Sequence, residues 1–280
     1  MTSLRSNDAP GPAVWAAAVL CLIAIVVTPA CAQPPDTVFL EELTWTELRA
    51  IIRAGKTTII VPIGGTEQNG PHMALGKHNA RVKALAERIA RVLGNALVAP
   101  VIAYVPEGGL RPATGHMRFP GTITVPDDVF QRGLESAAQS FRLHGFRNIV
   151  FLGDHGSTQA TQKAVATRLN REWHAAPVRA HAIEEYYRAA TSGFRELLKA
   201  RGYRADELGE HAALPDTSLT LALDPRLVRS NPPREDERLP GVGTGVEGDP
   251  SRASADLGRL GVDLIVDRTV AAIKESTTRR

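Results

Sequence analysis

The first side chains in this sequence that are suited to chemistry lie in a loop that follows an apolar run. The run Thr57 to Ile63 leads into GGTEQNGPHMALGKHN, Gly64 to Asn79, which holds Glu67, His72 and His78. Imidazoles and a carboxylate gathered near a strand end are what a metal ion or a proton-transfer site requires. We therefore expect this loop to line a functional site.

A second polar loop, GDHGSTQ, spans residues 153–159 and carries Asp154 and His155. In open α/β sheets ligands bind at the carboxyl ends of strands, where both loops are expected. Glu67, His78 and His155 would supply two imidazoles and one carboxylate, which hold a divalent metal with open positions, and zinc so placed lowers the pKa of bound water to about 7. The alternative is that Glu67 caps a loop amide and the histidines are ordinary polar loop residues.

A third segment, GEHAALPDTS at residues 209–218, places Glu210 and His211 side by side at a junction between loop and helix. A carboxylate and an imidazole beside a metal can move a proton to a leaving amine. The alternative is a helix start whose acidic residues favour the helix dipole. Asp216 either caps a helix that begins at Thr217 or holds a histidine in place.

The elements that must position these loops alternate along the chain. Apolar periodicity and capping residues predict helices at 44–54, 79–93 with Asn79 as N-cap, 127–144, 159–173, 184–201 and 254–274, and strands at 57–63, 96–102, 148–152 and 178–183. A Gly/Pro-rich loop, 106–126, follows the second strand, and His116 within it is a candidate to line the pocket. This alternation predicts an α/β fold with a mainly parallel sheet covered by helices on both faces.

The bulk composition fits one globular domain and disfavours nucleic acid as a partner. The 280 residues include 43% in the apolar set and 22% charged, which allows one substantial core. The net charge of +3 arises from 33 basic and 30 acidic residues with no Lys/Arg block to follow a phosphate backbone.

The first 32 residues differ from the rest. The apolar run 13–27 follows Arg5 and ends near Ala30-Cys31-Ala32, which predicts a signal peptide, 1–32, cleaved after Ala32, and an exported protein that is periplasmic or secreted. The alternatives are an uncleaved membrane anchor, although the run is short for a span of about 20 residues, and lipidation at Cys31. Residues 33–280 then form a single domain.

Both cysteines, Cys21 and Cys31, lie in this N-terminal segment. A chain cut after Ala32 therefore contains no thiol, and a metal must be held by nitrogen and oxygen ligands. Zinc, manganese and iron are all compatible with such ligands.

The three polar segments together resemble the creatininase (creatinine amidohydrolase) family in order and separation. The family's loops typically read E-x-H-G-P-H-L-P-L followed by an aspartate, N-G-H-x-x-N, and E-H-A-G with a later acid-T-S; the match covers roughly residues 43–223. The resemblance implies an α/β/α metal-dependent hydrolase acting mostly on amide-type C–N bonds, often as a hexamer. It makes Glu67, His78 and His155 metal ligands and Glu210 and His211 the acid/base pair.

The departures from the family pattern concern the second metal of its binuclear centre. Asn69 stands where the family has a histidine, and Ser157 where creatininase has a ligand glutamate; neither is a strong ligand for such an ion. His78 replaces an aspartate that bridges two metals. We therefore expect one metal per chain, with Asp154, His72 and Asp216 as possible additional ligands and with Asp154 alternatively orienting His155.

These observations predict a metal-dependent hydrolase of amide-type C–N bonds in a cyclic amide or formamide-like small molecule. One alternative is a non-catalytic metal- or ligand-binding protein on the same fold, because the second-metal ligands are missing. Another is an iron enzyme that uses two histidines and one carboxylate for oxygen chemistry.

Overall fold

The computed structural model describes residues 35–230 and 243–278, which belong to one compact unit, Pro34–Arg280. The predicted signal segment 1–32, its cleavage after Ala32 and both cysteines lie outside the described residues. Among the described helices, none combines the length and the apolar character needed to cross a membrane.

Four parallel strands form the central sheet in the order β2-β1-β3-β4. The strands are β1 (Thr58–Ile63), β2 (Ala96–Val98), β3 (Asn148–Gly153) and β4 (Arg179–Ala182). Every residue of β1 is buried, as expected for a β-branched run covered on both faces. The predicted α/β fold with a parallel sheet is confirmed.

Helices cover both faces of the sheet. They are α1 (Trp45–Arg53), α2 (Lys77–Leu93), α3 (Asp127–Leu143), α4 (Gln159–Glu172), α5 (Glu184–Arg188), α6 (Phe194–Ala200), α7 (Leu214–Leu223) and α8 (Ala255–Thr278). Successive strand side chains point to opposite faces, so Ile60 packs in one core with α2 and α5–α8, and Ile59 packs in the other with α3 and α4. The result is three layers, α/β/α.

The order of the strands places the two polar loops side by side. The chain moves from β1 to β2 on one side and then returns past β1 to β3, so the direction of winding reverses between β1 and β3. Ile63 and Gly153, the last residues of these strands, are partners in the sheet, and the Asp154 amide donates to the Ile63 carbonyl at 2.9 Å. The loops that follow begin at the position where ligands bind in such sheets.

Several predicted boundaries differ from those observed, each for a local reason. The helix predicted from Asn79 begins at Lys77, because the Asn79 side chain instead holds the first loop: its Oδ1 accepts from the Gly65 amide at 3.0 Å. β2 is shorter than predicted, although Ile102 still bridges to Ile63. The predicted helix 184–201 contains a π-helical turn, Ala189–Gly193. α7 begins at Leu214 rather than Thr217.

Two helical glycines give a matched test of the packing between layers. In α8, a Cβ on Gly258 would collide with the backbone oxygen of Ser218 in α7, whereas a Cβ on Gly133 of α3 would meet no atom within 4 Å. We expect Gly258→Ala to lower the free energy of unfolding by about 1–3 kcal/mol, since α7 and α8 must move apart. Gly133→Ala should raise it by about 0.5–1 kcal/mol through lower backbone entropy. Urea denaturation measures both; equal effects would contradict the close approach of α7 and α8.

Candidate metal centre

Glu67 is the centre of the site, and its carboxylate is completely buried. Its Oε1 lies 2.7 Å from His78 Nε2, and its Oε2 lies 3.0 Å from His155 Nε2. The three predicted ligands are thus brought together, and one donor atom from each lies within 4.8 Å of the others. Burial acts to raise the pKa of Glu67, but its contacts with the His78 and His155 rings and the charge of Lys77 hold it well below its ordinary value.

Asp154 sets the tautomer of His78. Its Oδ2 accepts from His78 Nδ1 at 2.6 Å, so Nε2, 2.7 Å from Glu67 Oε1, is the nitrogen left to face the centre. Arg81 Nε at 2.8 Å and the Tyr186 hydroxyl at 2.6 Å donate to the same carboxylate. Asp154, expected as a ligand or as a partner of His155, therefore instead faces His78 and is fully engaged there.

His155 is oriented by Ser157. The Ser157 amide donates to His155 Nδ1 at 3.2 Å, and the Ser157 hydroxyl, which donates to the Pro106 carbonyl at 2.6 Å, lies 2.7 Å from the same nitrogen. These contacts leave Nε2 facing the centre. Burial acts to lower the pKa of His155, but the hydrogen bond to Glu67 and the negative charges of Glu67 and Glu107 raise it.

Glu107 is a functional candidate that the sequence analysis missed. It lies in the loop after β2, is only 4% exposed, and places Oε2 3.1 Å from His155 Nε2. Among the described residues, neither of its oxygens has a hydrogen-bond partner. Burial, opposed by the charge of His155 and reinforced by that of Glu67, raises the pKa of Glu107 to about 8. The feature of the sequence that could have indicated Glu107 was its position after β2, a third strand of the same parallel sheet.

His116 and His211 form a second group with Glu67. His116 Nε2 lies 3.2 Å from Glu67 Oε2, His211 Nδ1 lies 3.8 Å from Glu67 Oε1, and the two rings are 4.5 Å apart. His116 was expected to line the pocket and His211 to transfer protons. Both imidazole rings lie beside Glu67.

Gln68 sets the tautomers of these two histidines. Its backbone carbonyl accepts from His211 Nε2 at 2.9 Å, so His211 Nδ1 keeps a lone pair. Its side-chain oxygen accepts from the Gly70 amide, which aims its Nε2 as a donor at His116 Nδ1, 2.9 Å away. His116 therefore carries its proton on Nε2, facing Glu67. Burial, with the positive charge of Lys77, lowers the pKa of His211 to about 4 and keeps that ring neutral at pH 7.

Two buried cations balance the carboxylates below the centre. Lys77 Nζ lies 3.0 Å from Asp216 Oδ2 and 4.0 Å from Glu67 Oε1, and Arg81 Nη1 lies 2.7 Å from Asp216 Oδ1. Burial acts to raise the pKa of Asp216, but Lys77 and Arg81 hold it well below its ordinary value. Asp216, a possible ligand in the sequence analysis, is instead committed to these cations and to the Ala212 amide.

Two other predicted residues lie away from Glu67. His72 is buried with Nε2 3.0 Å from the Thr217 hydroxyl. Glu210, the expected partner of His211, has a side chain that is 77% exposed and pairs with Arg195 at 3.2 Å. Neither belongs to the groups of donors around Glu67 found among the described residues.

The donor set fits a divalent cation. The Nε2 atoms of two imidazoles converge on a buried, ionised carboxylate, and partners at the other ring nitrogens hold both rings in place, as is usual for histidines that bind metals. Nitrogen and oxygen donors suit zinc, manganese or iron.

The sequence matches known proteins along most of its length. A model of the family described as creatinine amidohydrolase matches residues 41–273. Creatinine amidohydrolase of Pseudomonas putida is 27% identical over 200 residues, 69% of this chain and 74% of that protein. The mycofactocin precursor peptide peptidase of Mycobacterium tuberculosis is 27% identical, over 77% of this chain and 84% of its own length. The 3-dehydro-scyllo-inosose hydrolase of Thermotoga maritima is 26% identical, over 70% of this chain and 59% of its own length.

Solved structures show the same architecture. A manganese creatininase superposes with a TM-score of 0.70 at 25% identity, covering 86% of this chain and 98% of that one. A mutant creatininase of the Zn-Zn type superposes with a TM-score of 0.68 at 25% identity over the same shares. The similarity in fold covers most of both chains.

Replacing Asp216 tests the electrostatic support of the centre. Since its folded-state pKa lies below the unfolded value near 3.8, its ion pairs stabilise fully above that pH and fade as the pH falls through the folded value. Asp216→Asn leaves Lys77 and Arg81 without this partner, so we expect a loss of about 3 kcal/mol at pH 7. The loss should shrink at pH 3.

Urea denaturation of both proteins from pH 7 to pH 3 provides the measurement, with Asp267→Asn on the exposed face of α8 as a control. A difference between wild type and Asp216→Asn that stays constant over this range would contradict the assignment.

Proposed function

The chain belongs to the creatininase family, and from that premise we propose that it is a metal-dependent hydrolase of amide-type C–N bonds. One observation carries the proposal: the buried Glu67 carboxylate lies between His78 Nε2 and His155 Nε2, at 2.7 and 3.0 Å. Similar proteins are named as an amidohydrolase, a hydrolase and a peptidase, which supports hydrolysis as the reaction class.

The proposed ligands are Glu67, His78 and His155. When bound there, a divalent cation supplies a Lewis acid for a carbonyl oxygen and a source of hydroxide near neutral pH. Structures named as creatininase with Mn and as creatininase of the Zn-Zn type support manganese or zinc as the ion. Asp154 and Ser157 hold the two rings in the orientation that binding needs.

His211 is the proposed proton carrier. It is neutral at pH 7, because burial lowers its pKa, and its Nδ1 lone pair lies 3.8 Å from Glu67 Oε1, beside the space where water would be activated. It accepts a proton from the attacking water as the C–O bond forms, then donates that proton to the nitrogen as the C–N bond breaks, giving a carboxylic acid and an amine. His116 offers an Nε2–H at the same centre as a donor to a developing oxyanion.

We propose one metal ion per chain. Asn69 donates its amide to the carbonyls of Glu67 and Ala74, at 2.9 and 3.1 Å, and the Ser157 hydroxyl donates to Pro106, so both polar side chains hold loops. His116 presents a proton rather than a lone pair to Glu67. The buried ammonium of Lys77, 4.0 Å from Glu67, adds positive charge that a second cation would meet as repulsion.

The proposed substrate class is a small cyclic amide or formamide-like compound. The similar proteins are named for creatinine, an inosose and a precursor peptide, so short peptides belong in the same screen. Export and assembly into a hexamer stay predictions.

Replacing His155 tests the metal centre. We expect His155→Ala to lose bound metal and turnover, because one of three ligands is removed. His144→Ala, an exposed histidine after α3, is the matched control and should retain both. Elemental analysis of purified protein, followed by assays on lactams, cyclic ureides, formamides and peptides with the retained ion, provides the measurement. Full metal content in His155→Ala would refute the ligand assignment.

Replacing His211 separates proton transfer from metal binding. His211→Ala should lower kcat by about 10²–10⁴-fold while metal content stays at the wild-type value. We expect a smaller loss for Glu210→Gln, since that carboxylate faces solvent and Arg195. Steady-state kinetics on the substrate found by the screen distinguishes the two, and an equal loss in Glu210→Gln would return that residue to the proton-transfer pair.

A further inference from the structure

The proposed centre leaves one buried carboxylate beside it without a role. Glu107 lies at the edge of the three-ligand group, 4% exposed, with Oε2 3.1 Å from His155 Nε2. Burying a carboxylate with no hydrogen bond on either oxygen is costly, so such a group normally has a partner. Among the described residues, its carboxyl group contacts the His155 ring and faces the carboxyl group of Glu67, and neither oxygen accepts a hydrogen bond.

The groups around Glu107 converge as donors of electron pairs. His155 Nε2 faces Glu67 Oε2 at 3.0 Å and Glu107 Oε2 at 3.1 Å. Each of these three atoms can offer a lone pair to a cation placed between them. Such an arrangement is stable when a positive charge lies among them.

Both polar groups of the peptide bond between Pro106 and Glu107 are held in place. The Pro106 carbonyl accepts from the Ser157 hydroxyl at 2.6 Å, and the Glu107 amide donates to the Thr124 hydroxyl at 2.9 Å. Gly65 supplies the space: a Cβ there would lie 2.5 Å from Glu107 Oε1. The loop after β2 therefore aims this carboxyl at the centre.

We propose that Glu107 is a fourth ligand of the metal ion, which gives a centre of two histidines and two glutamates. The inference rests on the proposed metal centre. It adds a residue from a third strand end, after β2, to those that follow β1 and β3. A second carboxylate ligand adds a negative charge to the site. The site then binds a harder ion such as Mn²⁺ more tightly than it would without this carboxylate.

Titration of the full chain with Mn²⁺, followed by electron paramagnetic resonance of the free ion, tests the inference. Glu107→Gln keeps the shape of the side chain and removes its charge. We expect its Kd for Mn²⁺ to rise at least about 10-fold, while the metal-free protein melts at or above the wild-type Tm. Glu196→Gln, an exposed glutamate of α6, is the control and should match wild type in both.

Gly65→Ala provides a second variant that removes no carboxylate. Its methyl carbon would lie 2.5 Å from Glu107 Oε1, so the carboxyl must shift. We expect a weaker Kd for Mn²⁺ here too, and a smaller rise in Tm on adding Mn²⁺ than in wild type.

The outcomes separate this inference from the proposed function. Wild type that binds no Mn²⁺ overturns both. Wild type that binds Mn²⁺ with the same Kd as Glu107→Gln overturns the role of Glu107 as a ligand and leaves the three-ligand centre standing. An unchanged Kd together with the loss of one limb of the pH–rate profile would make Glu107 a proton donor instead. A lower metal-free Tm with an unchanged Kd would make it structural.

Discussion

The burial of an ionised carboxylate at the end of a central strand is the constraint on which the rest of the site depends. Glu67 has no exposed surface, and a buried charge must be matched by partners or it destabilises the fold. The structure surrounds it with imidazole nitrogens and with the ammonium of Lys77. Each partner is in turn held by another group, so the centre is a network whose members depend on one another.

The fold supplies the positions that this network needs. Three strand ends, after β1, β2 and β3, meet where the winding of the sheet reverses, and they deliver Glu67, Glu107 and His155. Two consecutive glycines after β1 make room for the side chains that pack there: a Cβ on Gly64 would collide with Asn79, and one on Gly65 with Glu107. The same loop supplies Gln68. Its backbone carbonyl sets the tautomer of His211, and its side-chain amide sets that of His116.

Much of the fold was predictable because it depends on local patterns. The apolar runs 57–63 and 148–152 and the helical periodicities between them led to a parallel sheet and to the convergence of two polar loops, both of which the structure shows. The meeting of Glu67, His78 and His155 followed from that topology. The family resemblance was confirmed by the match over residues 41–273.

The rest of the site depends on contacts between residues distant in sequence. Whether Asp154 contacts His78 or His155 depends on side-chain directions, which adjacency in the sequence does not reveal. Glu107 lies in an irregular loop with no motif, and its placement depends on the hydroxyl of Ser157, which follows a different strand. Likewise, Asn79 was interpreted as a helix cap because capping is a local rule, but its side chain binds the loop after β1.

Anomalous diffraction tests most directly whether Glu67, His78 and His155 hold one divalent cation. Crystals of the purified protein grown with Mn²⁺ would be measured on both sides of the manganese absorption edge. We predict one peak per chain, within bonding distance of Glu67, His78 Nε2 and His155 Nε2. A map with no peak there, or with a peak bound to other side chains, would contradict the proposed centre.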